Sequence, residues 1–272
     1  MDTVHNLNDQ HTTLARQLAG DGVKYAVGAW VDVNGRGKSK MVPIDHLPNL
    51  LAGSERYTPR GMGGLGQMTP NEDECVAMPD VDTLRVLPWD KRIAWMASDL
   101  FFAGREPFAL CPRSILKSQL GKAADAGYTF NLGVETEFFV FDPASLDDPT
   151  GYLKPMARSG SMKPTPAYDL EPSLDSLPFL DAMVGYMSEC DFGVYSFDAE
   201  GGDGQYEFDF TYAPALEMAD KLLLFRLMAK QVAKQLGLLA TFMPKPYTGS
   251  WGSGHHFNMS LENIETGANL FR

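Results

Sequence analysis

The chain has 272 residues, a formal net charge of −12 at pH 7 and an apolar content of 44%. This length allows two domains with buried cores, and no apolar run approaches the roughly 18 residues that a membrane-spanning helix requires. The negative charge and the lack of basic clusters argue against nucleic acid or an anionic membrane as a partner.

The N-terminus and the cysteines favour a cytoplasmic protein. Residues 1–6 lack the basic start and apolar stretch of a secretory signal. Cys75, Cys111 and Cys190 are odd in number and widely spaced, which argues against a disulfide framework and against a zinc motif. We therefore expect reduced thiols in a soluble cytoplasmic protein.

The first part of the chain predicts a small mixed sheet with one or two helices. A helix is predicted over residues 7–18, and Asn34-Gly35 predicts the tight turn of a hairpin because both residues tolerate positive φ angles. Strands are predicted over residues 25–33, 38–44, 74–78 and 92–99.

The boundary between two domains is predicted within residues 104–107, which gives domains of residues 1–105 and 106–272. A helix over 112–126, with proline in its first turn, opens the second domain. There, strands are predicted over 132–141, 192–200 and 205–210, helices over 177–190 and 213–236, and a loop over 150–169. The Met and Phe residues of these helices indicate core packing.

Two glutamates alternate within the apolar run of the predicted strand 132–141. Glu135 and Glu137 lie two positions apart, so on a continuous strand their side chains would share one face at a spacing of about 7 Å. A buried carboxylate without a partner is costly, and a divalent cation with oxygen ligands is a standard partner. The alternative is that both carboxylates are solvated on the exposed face of an edge strand.

Three further candidate ligands lie in similar surroundings. Glu200 ends the strand predicted over 192–200, Glu207 lies in the strand predicted over 205–210, and His256 follows a glycine-rich loop. Four carboxylates and one imidazole form a mixed oxygen and nitrogen set that fits Mg²⁺ or Mn²⁺ better than a structural zinc ion.

The order and spacing of these motifs resemble the glutamine synthetase superfamily. The resemblance rests on Glu135-Thr136-Glu137, Glu200, Glu207, the loop that ends at His256, and the segments 78–80 and 111–114. It implies an α+β fold, with a small N-terminal β-grasp-like domain and a catalytic domain built on an antiparallel sheet with flanking helices. It also implies an ATP-dependent ligase that phosphorylates the side chain of glutamate and lets an amine displace the phosphate.

The resemblance also implies roles for the candidate metal ligands. Glu137, Glu200 and Glu207 are implied to bind a first divalent metal on the glutamate side of the site. Glu135 and His256 are implied to bind a second metal, against the phosphates of ATP. Both assignments agree with the general need of phosphoryl transfer for charge neutralisation and positioning.

The substrate contacts follow from the same resemblance. Gly252 corresponds to a backbone contact to glutamate, and Ser260 to a contact near the nucleotide. Tyr168 matches a tyrosine of the amine pocket, where it and Glu200 are the expected catalytic residues. A glycine in a loop and a serine on a strand are also common as plain turn and surface residues.

Three positions depart from the common pattern of the superfamily. Arg60 stands where glutamine synthetases place an aspartate that binds ammonium, and its guanidinium would repel that ion. Trp251 replaces a small amide near the substrate, and Asn258 replaces a histidine close to the nucleotide. Because residues 60–67 resemble γ-glutamylmethylamide synthetases and type III glutamine synthetases, we expect methylamine as the amine, with ammonia as the alternative.

Residues 61–66 read literally as the G-x-G-x-x-G fingerprint of dinucleotide-binding folds. No apolar strand leads into them and no amphipathic helix follows, so we interpret the segment as a flexible glycine loop. In the resembling family this region reaches into the active site of a neighbouring subunit. A homo-oligomer is therefore implied, namely a dodecamer of stacked hexameric rings.

Two other classes of function remain open. A catalytically inactive, structural member of the superfamily would be expected to lose its metal carboxylates, and a metal-dependent hydrolase usually carries more imidazole ligands. In the resembling family a further C-terminal portion supplies the last ligand of the second metal and the arginines that clamp the phosphates and glutamate. We therefore expect the catalytic domain of this chain to be incomplete.

Overall fold

The computed structural model describes residues 2–66, 68–69, 71–148, 151, 153–156 and 167–271, with side chains from residue 9 onward. The chain divides into two compact units, Met1–Ala126 and Gly127–Arg272. The first unit extends beyond the predicted domain boundary because the helix Pro112–Asp125 packs against strands of the first unit. The domain limits 1–105 and 106–272 stay a prediction about how the chain is organised.

The first unit contains the mixed sheet that the sequence predicted. Its described helices are α1 (Asp2–Gly20), α2 (Leu47–Leu51) and α3 (Pro112–Asp125), and its described strands are β1 (Tyr25–Val31), β2 (Gly37–Pro43), β3 (Arg56–Tyr57), β4 (Cys75–Pro79), β5 (Arg85–Val86) and β6 (Ile93–Phe102). The strand order is β2-β1-β6-β4-β3, with β5 paired to β6. Only β1 and β6 run parallel among these pairs.

The predicted hairpin turn between β1 and β2 is confirmed. Gly35 adopts a φ of 70°, which glycine tolerates because it has no Cβ. The carboxylate of Asp32 accepts hydrogen bonds from the backbone N–H groups of Asn34, at 2.9 Å, and Arg36, at 3.0 Å. A buried aspartate thus holds the turn through its own neighbouring backbone.

The glycine loop is anchored to the core of the first unit. Met62 and Leu65 are buried, and the indole N–H of Trp30 donates to the sulfur of Met62 at 3.2 Å. Arg60 is exposed. Two apolar side chains thus anchor the described part of the loop, its flexibility stays a prediction, and Gln67 lies outside the described residues.

The second unit contains two antiparallel sheets. Its described strands are β7 (Tyr128–Thr136), β8 (Phe138–Phe141), β9 (Val194–Ala199), β10 (Gln205–Phe210), β11 (Ala213–Pro214), β12 (Leu239–Thr241) and β13 (His255–Asn263), and its described helices are α4 (Leu170–Asp175), α5 (Leu177–Glu189) and α6 (Ala215–Gln235). One sheet has the order β12-β8-β10-β9, and the other has the order β11-β7-β13. The mixed α+β class with an antiparallel second half is confirmed.

The predicted strand over 132–141 is not continuous. β7 ends at Thr136 and pairs with β13, whereas β8 begins at Phe138 and pairs with β10 and β12. Glu137 lies at this junction and donates its backbone N–H to the carbonyl of Gly254 at 3.1 Å. Glu135 and Glu137 therefore do not lie on one continuous strand, and the rule that residues two apart share a face does not apply to them.

Aromatic rings fill the core of the second unit. The ring of Phe138 contacts those of Phe208 at a centroid distance of 6.2 Å and Phe225 at 5.7 Å. Met183 on α5 and Met228 on α6 are fully buried, so the prediction of core packing for the methionines of these helices is confirmed. The predicted loop over 150–169 lies mostly outside the described residues.

Candidate active site

Three carboxylates converge in the second unit. Glu137 lies at the β7–β8 junction, Glu200 directly follows β9, and Glu207 lies on β10. One oxygen atom of each lies within 4.8 Å of the others. We call these three residues the carboxylate cluster.

The hairpin of β9 and β10 builds most of this cluster. Glu207 lies opposite Asp198 in the antiparallel register. The N–H of Glu200 donates to the carbonyl of Gln205 at 2.8 Å, which closes the glycine-rich turn between the two strands. The predicted proximity of Glu200 and Glu207 thus follows from a local turn, whereas Glu137 arrives from another part of the chain.

The carboxylate cluster is electrostatically unfavourable without a cation. Burial, together with the charges of Asp209, Glu137 and Glu200, raises the pKa of Glu207 to about 8. Burial and the charge of Glu137 also raise the pKa of Glu200. A divalent cation would remove this repulsion, and three carboxylate oxygens are the donor set that Mg²⁺ and Mn²⁺ prefer. The residues present therefore fit a divalent metal.

A glycine leaves room between two of the predicted ligands. A Cβ atom built on Gly254 would overlap with Oε1 of Glu137 and lie 2.7 Å from Nε2 of His256. Both atoms therefore face the backbone of Gly254. A side chain at this position would displace one or both predicted ligands.

Glu135 and His256 lie opposite each other on β7 and β13. Directly opposed residues of antiparallel strands project from the same face of a sheet, with Cβ atoms about 5 Å apart. The side-chain amide of Asn258 donates to Oε1 of Glu135 at 2.7 Å. Asn258, predicted to lie near the nucleotide, thus contacts a predicted metal ligand directly.

A pocket of about 430 Å³ lies in the second unit beside Glu135. Its walls include Glu135, Asn258, Ser260, Asp209, Tyr195 and Tyr212. The structure therefore brings both residues that were predicted to lie near the nucleotide, Asn258 and Ser260, to one concave surface. One wall residue, Asp209, lies two residues after Glu207 on β10, so the pocket and the carboxylate cluster share this strand.

The loop before β13 brings Trp251 and Gly252 towards the cluster. A Cβ atom on Gly201 would lie 2.8 Å from Cδ2 of Trp251, so the indole covers the backbone directly after Glu200. The carbonyl of Gly252 accepts a hydrogen bond from the side chain of Gln205 at 3.1 Å. Two of the residues predicted to contact substrate, Trp251 and Gly252, are thus close to the carboxylate cluster.

Tyr168 is held beside Glu200 in an unusual backbone conformation. Its φ is 69°, a region that non-glycine residues rarely occupy. Its N–H donates to the carbonyl of Ala199 at 2.8 Å, and the negative charge of Glu200 is the largest cause of the raised pKa of its phenol. The side chain is 72% exposed, which leaves it accessible to a small ligand.

One predicted site residue lies in the first unit, and three residues of the pocket wall were not predicted. Arg60 belongs to the first unit, and its role stays a prediction. Sequence reasoning missed Asp209, Tyr195 and Tyr212 in the pocket wall. Alternation on β10 was a usable signal for Asp209, because it lies two residues after Glu207 and therefore on the same face of the strand.

Comparison with known protein families gives a match over the part of the chain that contains this site. The sequence profile of the glutamine synthetase catalytic domain matches residues 109–272. The chain belongs to the glutamine synthetase family. Homologues in this family are ATP-dependent ligases, and the family uses divalent metals.

Relatives of two named activities resemble the chain about equally. A glutamine synthetase of Rhizobium meliloti (strain 1021) is 31% identical over 260 residues, covering 96% of this chain and 57% of the relative. A glutamate–methylamine ligase of Methyloversatilis universalis is 33% identical over 240 residues, covering 88% of this chain and 52% of the relative. The chain thus spans about half the length of the curated relatives that it matches.

Solved structures of the family share this fold. A structure described as a GmaS/ADP complex superposes with a TM-score of 0.86 and 31% sequence identity, covering 96% of this chain and 58% of its own. The glutamine synthetase of Plasmodium falciparum has a TM-score of 0.81 at 20% identity, covering 96% and 55%. No helix in the described ranges is long and apolar enough to cross a membrane.

Proposed function

We propose that the protein joins an amine to the side-chain carboxylate of glutamate at the expense of ATP, and that methylamine is its preferred amine. The observation that carries this proposal is the convergence of Glu137, Glu200 and Glu207 within 4.8 Å, next to a pocket of about 430 Å³. A charge-dense cluster beside a nucleotide-sized pocket is suited to phosphoryl transfer, which depends on positioning and charge neutralisation.

The metal ligands divide into two groups in this proposal. Glu137, Glu200 and Glu207 hold the first divalent metal, and the opposed pair Glu135 and His256 holds the second. Bound divalent cations would neutralise phosphate oxygens and orient the reacting groups. Support comes from the pKa of Glu207, which burial and the neighbouring carboxylates raise to about 8, and from the space that Gly254 leaves beside Glu137 and His256.

The pocket beside Glu135 is the proposed nucleotide site. Ser260 offers a hydroxyl on its wall, and the rings of Tyr195 and Tyr212 offer apolar faces for a purine base. Asn258 contributes through its hydrogen bond to Glu135, which orients that carboxylate. This arrangement would place the phosphates of ATP on the side of the pocket that adjoins the carboxylate cluster.

Glutamate is proposed to bind beside the loop that carries Trp251 and Gly252. The backbone of Gly252 is held by the side chain of Gln205, so its peptide groups have a defined direction for a polar substrate. The indole of Trp251 covers Gly201 and screens the carboxylate cluster from water on that side. Exclusion of water protects an acyl phosphate from hydrolysis.

The amine is proposed to bind between Tyr168 and Glu200. In the proposed reaction the γ-carboxylate of glutamate takes the terminal phosphoryl group of ATP and releases ADP, and the amine nitrogen then attacks the carbonyl carbon of the resulting γ-glutamyl phosphate and displaces phosphate. The amine loses a proton in forming the amide, and Glu200 is the proposed acceptor.

Methylamine is preferred over ammonia in this proposal because Arg60 stands where glutamine synthetases carry the aspartate that binds ammonium, and because Trp251 replaces a small amide with aromatic surface. A buried methyl group contributes about 0.8 kcal/mol. Ammonia is the second candidate, because a glutamine synthetase of Rhizobium meliloti is 31% identical to the chain.

An assay of ADP release tests the proposal. The purified protein receives ATP, Mg²⁺ and glutamate, with methylamine, ammonia, ethylamine or no amine. We expect ADP release that depends on both glutamate and amine, with the corresponding γ-glutamyl amide found by mass spectrometry. ADP release that is unchanged without glutamate would contradict the proposal.

A further inference from the structure

Gln205 is the most completely buried polar residue next to the carboxylate cluster. It is 1% exposed and opens strand β10. Its side-chain nitrogen donates two hydrogen bonds, a short one to Oε2 of Glu137 and one to the carbonyl of Gly252 at 3.1 Å. Its side-chain oxygen accepts from the N–H of Gly202 at 2.9 Å.

The orientation of this amide is fixed by its partners. The carboxylate of Glu137 and the carbonyl of Gly252 are acceptors, and the N–H of Gly202 is a donor. Turning the amide by half a rotation would set its oxygen against two acceptors and its nitrogen against a donor. Only one orientation satisfies all three partners, so the contacts make Gln205 a rigid connection.

The backbone of Gln205 extends this connection to a second carboxylate. Its carbonyl accepts from the N–H of Glu200 at 2.8 Å, and its own N–H donates to the carbonyl of Gly202 at 2.9 Å. One residue therefore contacts Glu137, the backbone of Glu200, the turn at Gly202 and the loop at Gly252. These groups come from three separate segments of the second unit: the β7–β8 junction, the β9–β10 turn and the loop before β13.

The bond to Glu137 also decides which oxygen of that carboxylate stays available. Oε2 is occupied by the amide, while Oε1 faces Gly254. A hydrogen bond between an amide and a carboxylate in partly buried surroundings is stronger than one between neutral groups. Oε2 of Glu137 is thus bound to the amide of Gln205, and Oε1 is left to bind a metal.

We infer that Gln205 is a positioning residue that orients Glu137 for the metal and the Gly252 loop for the substrate, which rests on the metal site proposed above. Hydrogen-bond partners of metal ligands typically change metal affinity about 10–100-fold when they are removed. Gln205 coordinates nothing itself. It restricts the carboxylate to one rotamer, so the metal does not have to order it on binding.

The test compares two neighbouring residues on β10. Gln205→Met keeps the approximate volume and removes all three side-chain hydrogen bonds. Tyr206→Phe is the matched control, because Tyr206 is equally buried and loses one buried hydrogen bond, to Ser176 at 2.5 Å. Its side chain projects from the opposite face of the strand. Where Gln205→Met is insoluble, Gln205→Asn replaces it, since the shorter side chain withdraws the amide from Glu137.

Two readouts are measured on the purified protein. Mn²⁺ binding, followed by electron paramagnetic resonance, should weaken about tenfold or more in Gln205→Met and stay within about twofold in Tyr206→Phe. Amide hydrogen exchange of the peptide over residues 249–254 should accelerate in Gln205→Met alone, because the Gly252 carbonyl has lost its partner.

The outcomes separate this inference from the proposed function. Unchanged Mn²⁺ affinity in Gln205→Met, or equal losses in both variants, would overturn the positioning role while leaving the metal site in place. A wild-type protein that binds no Mn²⁺ would contradict the proposed metal site and this inference with it.

Discussion

Glu135 on β7 and His256 on β13 are direct partners across an antiparallel strand pair. The register therefore sets a carboxylate and an imidazole on the same face of one sheet, beside the pocket that Glu135 lines. A slip of one residue would turn one of the two side chains to the other face. Strand pairing, rather than a local motif, assembles this part of the site.

The first prediction concerns the carboxylate cluster. Glu137→Ala and Glu207→Ala should each reduce ligase activity by more than the roughly 10–100-fold expected for a residue that only supports a ligand. Folding should persist, because removing one carboxylate relieves repulsion. Steady-state ADP release and circular dichroism measure the two effects.

Glu217→Ala provides a matched control for these two variants. Glu217 is exposed on α6 and pairs with Lys221 at 2.9 Å, so its loss should cost about 0.3–0.5 kcal/mol of stability and no activity. Full activity in Glu137→Ala or Glu207→Ala would remove the basis of the proposed metal site.

The second prediction uses the space at Gly254. Gly254→Ala should weaken Mn²⁺ binding at least about tenfold, because the added Cβ would displace Oε1 of Glu137 or Nε2 of His256. Gly185→Ala is the control, since no atom lies within 4 Å of its added Cβ. Because Gly185 lies in the middle of helix α5, the Gly185→Ala substitution should stabilise the protein by about 0.5–1 kcal/mol. Isothermal titration calorimetry and thermal unfolding distinguish these results, and equal Mn²⁺ affinities would argue against both ligand assignments.

The third prediction concerns pH and stability without metal. The pKa of Glu207 is about 8 in the fold, against an ordinary value of 4.5, so the folded protein binds more protons than the unfolded chain between these values. The free energy of unfolding should therefore be highest near pH 4.5 and fall as the pH rises through about 8. The raised pKa values of Glu200 and Asp209 act in the same direction.

Thermal unfolding in the presence of EDTA, between pH 5 and pH 8.5, measures this effect. Glu207→Gln should flatten the dependence, because the amide does not titrate. Mg²⁺ should raise the melting temperature most at high pH, where the carboxylates are ionised. A metal-free melting temperature that increases steadily over this interval would contradict the assignment.

The fourth prediction concerns the amine. Methylamine should show a several-fold higher kcat/KM than ammonia at matched free-base concentration, since burial of one methyl group contributes about 0.8 kcal/mol. Trp251→Asn should reduce this preference, because it removes the aromatic surface that covers Gly201. A clear preference of the unaltered protein for ammonia would place it functionally with the glutamine synthetases proper.

The fifth prediction concerns assembly. The protein should form a ring-like homo-oligomer, with residues 60–67 completing the site of a neighbouring subunit. Multi-angle light scattering at the concentrations of the activity assay should report a mass several times that of one chain. Full activity in a fraction with the mass of one chain would exclude a shared site.

The sequence predicted most of the elements of the second unit with good limits. The helix expected over 177–190 is Leu177–Glu189, and that expected over 213–236 is Ala215–Gln235. The helical spacing of apolar residues carries this information locally. The prediction of one continuous strand over 132–141 was wrong, since an apolar run contains no sign that its two halves pair with different sheets. Helix α4 and strand β12 were not predicted.

The sequence by itself determined the chemistry of this protein: the four glutamates and His256 stand in strand-like contexts, and their types suit a divalent cation. Only the tertiary structure decided which of them meet. Glu137 lies close to Glu200 and Glu207 because the strand is interrupted between β7 and β8. Glu135 lies opposite His256 because of the register between β7 and β13. Gln205 became visible as the support of Glu137 only in the fold, because two of its side-chain partners, Glu137 and Gly252, come from distant segments. The type of each residue can be read from the sequence, whereas the proximity of the site residues depends on pairing between strands that are distant along the chain.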